Sequence, residues 1–266
     1  LIAEHCDIEM QIGITARYSQ ALMFSEQRRH QEAVDSLAPI IDRLGKDSTY
    51  KNRLNRQMLS YISPLQSLYQ FEKALALLQL ANQPDNSSTS LDEVKKALQR
   101  AYRQDGNHNP DILIAMYRLQ DPADPEWRES VLKQVRSTSD QLLREILQTE
   151  SERRPMNPVN YRQRLGGALN QYAWLVCNTE GDYGRALKFS KKSIELCTKN
   201  EVDSRAARLD TCARCYFAVG KFAEAVETQK MAMRSDPYSP QMKRQLKEFE
   251  AALAIQQQKS PQSNTQ

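Results

Sequence analysis

Two cysteines three residues apart, Cys212 and Cys215, form a spacing that redox or zinc chemistry could use. On a strand-to-helix turn such a pair carries a lowered thiol pKa and exchanges disulfides. Here it falls in the middle of a helical pattern, where free cysteine behaves as a small hydrophobe. Zinc would need further ligands, and His5, His30 and His108 stand at no ligand spacing from the pair. The cysteines, Cys6, Cys177, Cys197, Cys212 and Cys215, are odd in number and irregularly spaced, so they make no disulfide framework. A reducing compartment, the cytoplasm, is expected. Neighbouring carboxylates have bland roles: Asp92 with Glu93 opens a helix, and Glu150 with Glu152 ends a charged one. G-x-S-x-G, Walker A, H-E-x-x-H and Gly-rich phosphate loops do not occur. The sequence therefore assigns no catalytic residue, no metal and no cofactor, and no enzyme activity is expected.

Basic residues cluster at Lys95, Lys96, Arg100 and Arg103, at Arg153, Arg154, Arg162 and Arg164, and at Arg185, Lys188, Lys191 and Lys192. Acidic residues are interspersed throughout, and Lys plus Arg (37) exceeds Asp plus Glu (33) by only 4 over 266 residues. That field is too weak to imply nucleic acid, and no periodic base-reading pair is visible. Hydrophobic residues at 40 % and charged residues at 26 % exclude a disordered chain. The longest apolar runs fall short of the 18 residues that a membrane-spanning helix needs. Eight glycines are too few for a turn-rich β sandwich, so the composition points to an all-α protein.

The helical pattern supplies the elements. Residues 10–26 place Ile14, Tyr18, Ala21, Leu22 and Phe24 on one side. The next helix carries Ala33, Val34, Leu37, Ile40, Ile41 and Leu44 and stops at Gly45. A pair at 51–63 and 65–82 should meet near Pro64, and the polar run 82–90 is a loop. Ser90 and Glu93 match a capping box, and Asn109-Pro110 and Asp124-Pro125 place proline in a first turn, where its missing N–H costs nothing. The long helix from Glu126 to about Arg154 has Val131, Leu132, Val135, Leu142, Leu143, Ile146 and Leu147 as its stripe. Ser137, Thr138 and Ser139 interrupt that stripe, and a kink is expected there.

Residues 168–237 repeat. With an offset of 39, Gly181 matches Gly220, Tyr183 matches Phe222 and Ala186 matches Ala225. The physical logic is a helical hairpin. Glycine lets the chain turn tightly, the aromatic two residues on plugs the hairpin, and the small alanine lets the helices approach. One hairpin leaves an apolar face uncovered, so such units stack.

These residues resemble the tetratricopeptide repeat (TPR) family. The second unit matches closely, with Leu209, Cys212, Ala213 and Tyr216, then Gly220, Phe222, Ala225, Ala232 and Pro237. In the first unit Trp174 takes the small-residue site, Cys177 replaces an aromatic and Thr198 stands where proline is usual. The family period is about 34 residues; the longer spacing here places an insertion in 199–205. Weaker matches lie at 15–45, where Arg28 replaces the turn glycine between Phe24 and His30, and around Phe71, Ala74 and Leu78. The resemblance implies an α-solenoid of antiparallel helix pairs in a right-handed superhelix. Its expected parts are degenerate helix pairs over 1–90, an irregular section over 91–160, two hairpins plus a capping helix over 161–258, and a disordered tail over 259–266, with disorder beginning near Gln256. Met242, Leu246, Phe249 and Leu253 line the capping helix.

In such stacks the first helix of each unit lines the concave wall. Trp174 and Cys177 should then face the partner helix. Gln171, Leu175 and Asn178, at i, i+4 and i+7, should point into the concavity with Asp210, Arg214 and Phe217 as their equivalents. That mixed set suits an extended peptide or a partner helix. Some relatives in the family clamp a C-terminal carboxylate with Lys and Asn or Arg at these positions. Asp210 would repel a carboxylate, which argues against that ligand.

The expected function is a scaffold that binds a protein or peptide partner, without catalysis. Two other readings stay open. The chain begins at Leu1 rather than Met and reads as a fragment or processed product, so it could be an accessory module of a larger enzyme or signalling protein, a kinase for example. An RNA-binding helical repeat would instead show affinity that falls steeply with salt. The hairpin register is directly testable. Gly220→Val should strain the turn, and Ala225→Leu should overpack the helix contact at a cost of roughly 1–3 kcal/mol. Thermal midpoints followed by circular dichroism should fall for both variants, and unchanged midpoints would refute the register.

Overall fold

Apolar residues at helical spacing condense into eleven helices among the described residues, with no strand between them. The computed structural model describes residues 11–47, 56–83, 90–106, 109–152, 157–198 and 202–259. Cys6 and His5, His108, the Arg153–Arg154 pair and residues 260–266 of the expected tail lie outside these. The chain divides into two compact units, Leu1–Pro125 and Glu126–Gln266. This division falls inside the section that the sequence marks as irregular.

The first unit contains α1 (Gln11–Glu26), α2 (His30–Lys46), α3 (Arg56–Ala81), α4 (Leu91–Gln104) and α5 (Pro110–Arg118). Consecutive helices pack on one another, and α1 also reaches α3. Ile14, Ala21, Ala33, Leu37, Ile40 and Leu65 form its inner cluster, with Tyr18, Phe24, Ile41 and Leu44 against it. The helix boundaries differ from expectation where tertiary contact outweighs a local breaker. The α3 helix runs straight through Pro64 instead of dividing there, and α2 continues past Gly45 to Lys46. A proline costs one helical hydrogen bond, and past Pro64 the helix is held by buried residues, among them Leu65, Ser67 and Ala74. At α4, the Ser90 side chain accepts from the Asp92 N–H at 3.1 Å, one residue earlier than the capping-box pairing. Asn109 caps α5 in the same way through the Asp111 N–H at 2.9 Å, with Pro110 in the first turn.

Two buried polar groups tie this unit together. Glu72 of α3 is fully buried; one carboxylate oxygen accepts from Ser25 Oγ at 2.6 Å and the other lies 2.7 Å from His30 Nδ1. Lys95 of α4 is buried and donates to Asp121 (2.5 Å) and Asp124 (2.6 Å) in the break before α6. The Lys95 ammonium holds the Asp121 carboxyl below its ordinary pKa. The 121–125 break is therefore anchored by charge as well as by its prolines.

The second unit contains α6 (Pro125–Glu150), α7 (Pro158–Asn178), α8 (Tyr183–Glu195), α9 (Val202–Ala218), α10 (Phe222–Ser235) and α11 (Pro240–Lys259). The α6 helix is continuous through Ser137–Ser139, and the apolar stripe is narrower than expected. Val131, Val135, Leu142 and Ile146 are buried, Leu143 is half-buried, and Leu147 is 56 % exposed. Within the unit, α7 pairs with α8, α9 with α10, α9 also contacts α7 and α8, and α11 lies on α10. The last helix reaches Lys259, so Gln256 to Lys259 are helical, not part of a disordered tail.

The three turns show what the hairpins share. Gly220 has φ +77°, and the Lys221 N–H donates to the Tyr216 carbonyl (2.9 Å) while the Gly220 N–H donates to that of Phe217 (3.0 Å). This is a Schellman closure, in which one left-handed residue satisfies the last helical carbonyls. Arg28 repeats it: φ is +59°, the Arg29 N–H donates to the Phe24 carbonyl (2.9 Å) and the Arg28 N–H to that of Ser25 (2.9 Å). Gly181, at φ +146°, turns differently and sits over Val176, whose Cγ1 would be 3.1 Å from an added Cβ. The weaker sequence match thus shares the turn of the strongest hairpin. Arg28 adopts the left-handed region despite its Cβ, which costs an L-residue roughly 1–2 kcal/mol. Arg28→Gly should therefore stabilise the protein by about 0.5–1 kcal/mol, the relief being partly offset by the greater unfolded freedom of glycine. Urea unfolding of the two forms measures this, and a lower midpoint in the glycine variant would show that Arg28 is not strained.

Candidate functional site

The six positions expected to face a concave groove do not form an open surface. Gln171 is exposed, but Leu175 is fully buried and Asn178 is turned inward, its Nδ2 donating to the Trp174 carbonyl at 2.9 Å. Trp174 is only half-buried, while its neighbour Ala173 is completely buried beside α9, where the Cys215 thiol faces the Ala173 carbonyl at 3.7 Å. Asp210 and Arg214 are buried and Phe217 is half-buried, all three engaged by residues of α11.

The reason is apolar area on α11. Met242, Leu246, Phe249 and Leu253 need cover, and Phe249 obtains it completely by packing with Ala213, Ala225 and Val226. Full burial of such a ring is worth roughly 1.5–3 kcal/mol. Polar groups on the same face must then find partners inside the contact. Gln229 Nε2 donates to Asp210 Oδ1 (2.6 Å), and Gln245 Nε2 donates to the same oxygen (2.9 Å). Arg214 donates through Nε and Nη2 to Gln245 Oε1 and, through Nη1 and Nη2, to both oxygens of Glu248 at 2.7 Å. Its guanidinium also lies 4.8 Å from the Phe249 ring centroid and 5.3 Å from that of Phe217, and the two rings stack at 4.8 Å. Asp210, Arg214 and Phe217 therefore fix the register of the last helix.

The repeat alanines are buried, as close approach of two helices requires. Ala186, Ala225 and Ala232 are fully buried. Phe222 packs on Phe217 at 5.2 Å, Tyr183 Oη donates to the Thr179 carbonyl at 3.1 Å, and Pro237 is exposed just past the end of α10. Cys212 and Cys215 are buried inside α9, and burial pushes both thiols up in pKa, Cys215 the further. Raised thiols are poor nucleophiles at neutral pH. Among the described residues, no group of three or more His, Cys, Asp or Glu side chains is placed to hold a metal ion. No described helix is long and apolar enough to cross a membrane.

An open site lies elsewhere in the second unit. Leu143 and Leu147 of α6 and Phe189 of α8 floor a cleft of about 470 Å³, with Asp182, Gly184, Arg185 and Lys188 on its rim. Phe189 is held edge-on by Tyr172, with ring centroids 5.2 Å apart and planes at 64°. Two ion pairs bracket the cleft: Arg136 of α6 with Glu180 in the turn before α8 at 3.0 Å, and Lys192 of α8 with Glu150 of α6. Residues advancing along α6 meet residues advancing along α8, so the two helices run parallel. In the sequence, Leu143 and Leu147 merge into the buried stripe of α6; nothing there marks them as the margin left uncovered.

Comparison with models of protein families, with curated proteins and with solved structures found no match to this chain. The tetratricopeptide resemblance accordingly rests on the residues and turns described above.

The Arg214 network makes a direct prediction. Arg214→Ala leaves Gln245 Oε1 without its buried donor and should destabilise the cap by about 2 kcal/mol. Hydrogen exchange should quicken across 240–259 far more than across 158–178. Uniform exchange in both segments would show that the cap does not depend on Arg214.

Proposed function

We propose that this protein is a helical-repeat scaffold of the tetratricopeptide kind, whose paired helices form a solenoid and present a preformed surface to a protein partner. The observation that carries the reading is the recurrence of one hairpin plan. A helix closes on a turn residue of positive φ, and a buried alanine five residues on meets the partner helix, at Arg28 with Ala33, Gly181 with Ala186, and Gly220 with Ala225. The offset of 39 between the last two is conserved at both the turn and the contact. Hairpins of this type perform no bond chemistry; their rigid helices hold side chains in fixed positions, so a partner binds without ordering the scaffold first. The final network between α9, α10 and α11 supports the same reading, because a repeat stack needs a terminal helix to cover its last apolar face.

Affinity capture from a native extract tests this. The folded protein should retain a set of proteins that survives nuclease treatment and is lost when the hairpin is broken by Gly220→Val. Retention of nothing, or only of material removed by nuclease, would overturn the reading.

A further inference from the structure

We infer that the cleft between α6 and α8 takes an acidic amphipathic helix from a partner protein, seated on Leu143, Leu147 and Phe189 and held by Lys188. This rests on the reading of the protein as an interaction scaffold and names the partner surface it would take.

The form of the ligand follows from the walls. Both sides of the cleft are helices, whose interior backbone N–H and C=O groups are already paired. They offer no strand edge, so an incoming segment must satisfy its own backbone, and a helix does so. The length is bounded by the two ion pairs. From Arg136 to Glu150 the α6 axis rises about 21 Å, roughly four turns of helix. Leu143 and Leu147 stand at i and i+4 on one side, so the complementary partner carries two large apolar residues three or four apart. Leu147, 56 % exposed, is the part of this floor that water now covers.

The charge of the ligand follows from the rim. Between Asp182 and Glu195, α8 carries Arg185, Lys188, Lys191 and Lys192 and no acidic residue. Three of these cations are engaged within the protein: Arg185 with Asp182 at 3.4 Å, Lys192 with Glu150, and Lys191 over the Tyr216 ring at 5.0 Å. Lys188 is exposed at the lip of the apolar floor and has no ion-pair partner among the described residues. An Asp or Glu one turn from the apolar anchor would meet it, whereas a Lys or Arg at that place would be repelled by Lys188. RNA fits less well, because a single strand wants several aromatic faces on which successive bases stack, and the lining of this cleft includes one aromatic, Phe189.

The test is selection of displayed random 14-residue peptides on the intact protein. Enriched peptides should carry a pair of large apolar residues at i, i+3 or i, i+4 with an adjacent Asp or Glu. Their synthetic forms should bind Leu147→Asp at least tenfold more weakly, by fluorescence anisotropy. Selection on Lys188→Glu should shift the enriched charge to Lys or Arg. Both substitutions sit on exposed side chains, and circular dichroism confirms that the variants keep their helicity. Peptides bound equally by wild type and both variants would overturn the cleft assignment while leaving the scaffold reading intact. Failure to enrich any peptide would remove the support of both. A dimer in sedimentation that Leu147→Asp converts to monomer would overturn the inference in favour of a second copy of the chain in the cleft.

Discussion

Two helices joined by a short turn come closest where the residue at their crossing is small. That steric constraint recurs in the clear hairpins of this protein. Ala33, Ala186 and Ala225 are at zero exposure, and each stands five residues after the turn. Ala21 and Ala213, at matching places in the first helix, are equally buried. Close approach at these points removes apolar area from water along the rest of the pair, at about 25 cal/mol per Å². The last helix covers the pair α9–α10 through Phe249, which packs with Ala213, Ala225 and Val226.

Burying polar groups within such contacts raises the cost of any alternative register. Glu72 has Ser25 and His30 as partners, Asp210 has Gln229 and Gln245, and Arg208 donates to the Ser193 carbonyl at 2.6 Å. The Arg208 guanidinium in turn occupies space that any side chain at Gly166 would need, at 2.7 Å from an added Cβ. A helix slid by one residue would leave these groups unpaired in a dry contact, at roughly 1–3 kcal/mol each. Apolar packing explains why the helices associate; these pairs explain why they associate in one way.

Local chemistry was the most legible part of the chain. Ser90 and Asn109 accept backbone N–H groups at the helix starts because short polar side chains reach nothing else as well. Gly181 and Gly220 announced their turns because left-handed backbone favours glycine. Arg28 was harder to read, since its conformation is imposed by the packing of Ala21 and Ala33 across the hairpin and leaves no mark on residue type. The same limit hid the continuity of α3 through Pro64. A breaker states a local cost, and whether that cost is met depends on the burial of neighbours distant in sequence.

Residue types and their periods determined the all-helical class, the position of the turns, the small residues at the crossings and the apolar stripe of the last helix. These are properties of single elements, set by side-chain volume, backbone freedom and hydrogen bonding within a few residues. Only tertiary structure decided which face of each helix stayed open. Asp210 and Arg214 have the polarity of surface residues, yet they are buried because Phe249 beside their partners required cover. Leu147 has the character of a core residue, yet it is exposed because α8 runs parallel to α6 at a distance that leaves a cleft. Exposure belongs to the pair of surfaces that meet, and a single stretch of sequence holds only one of them.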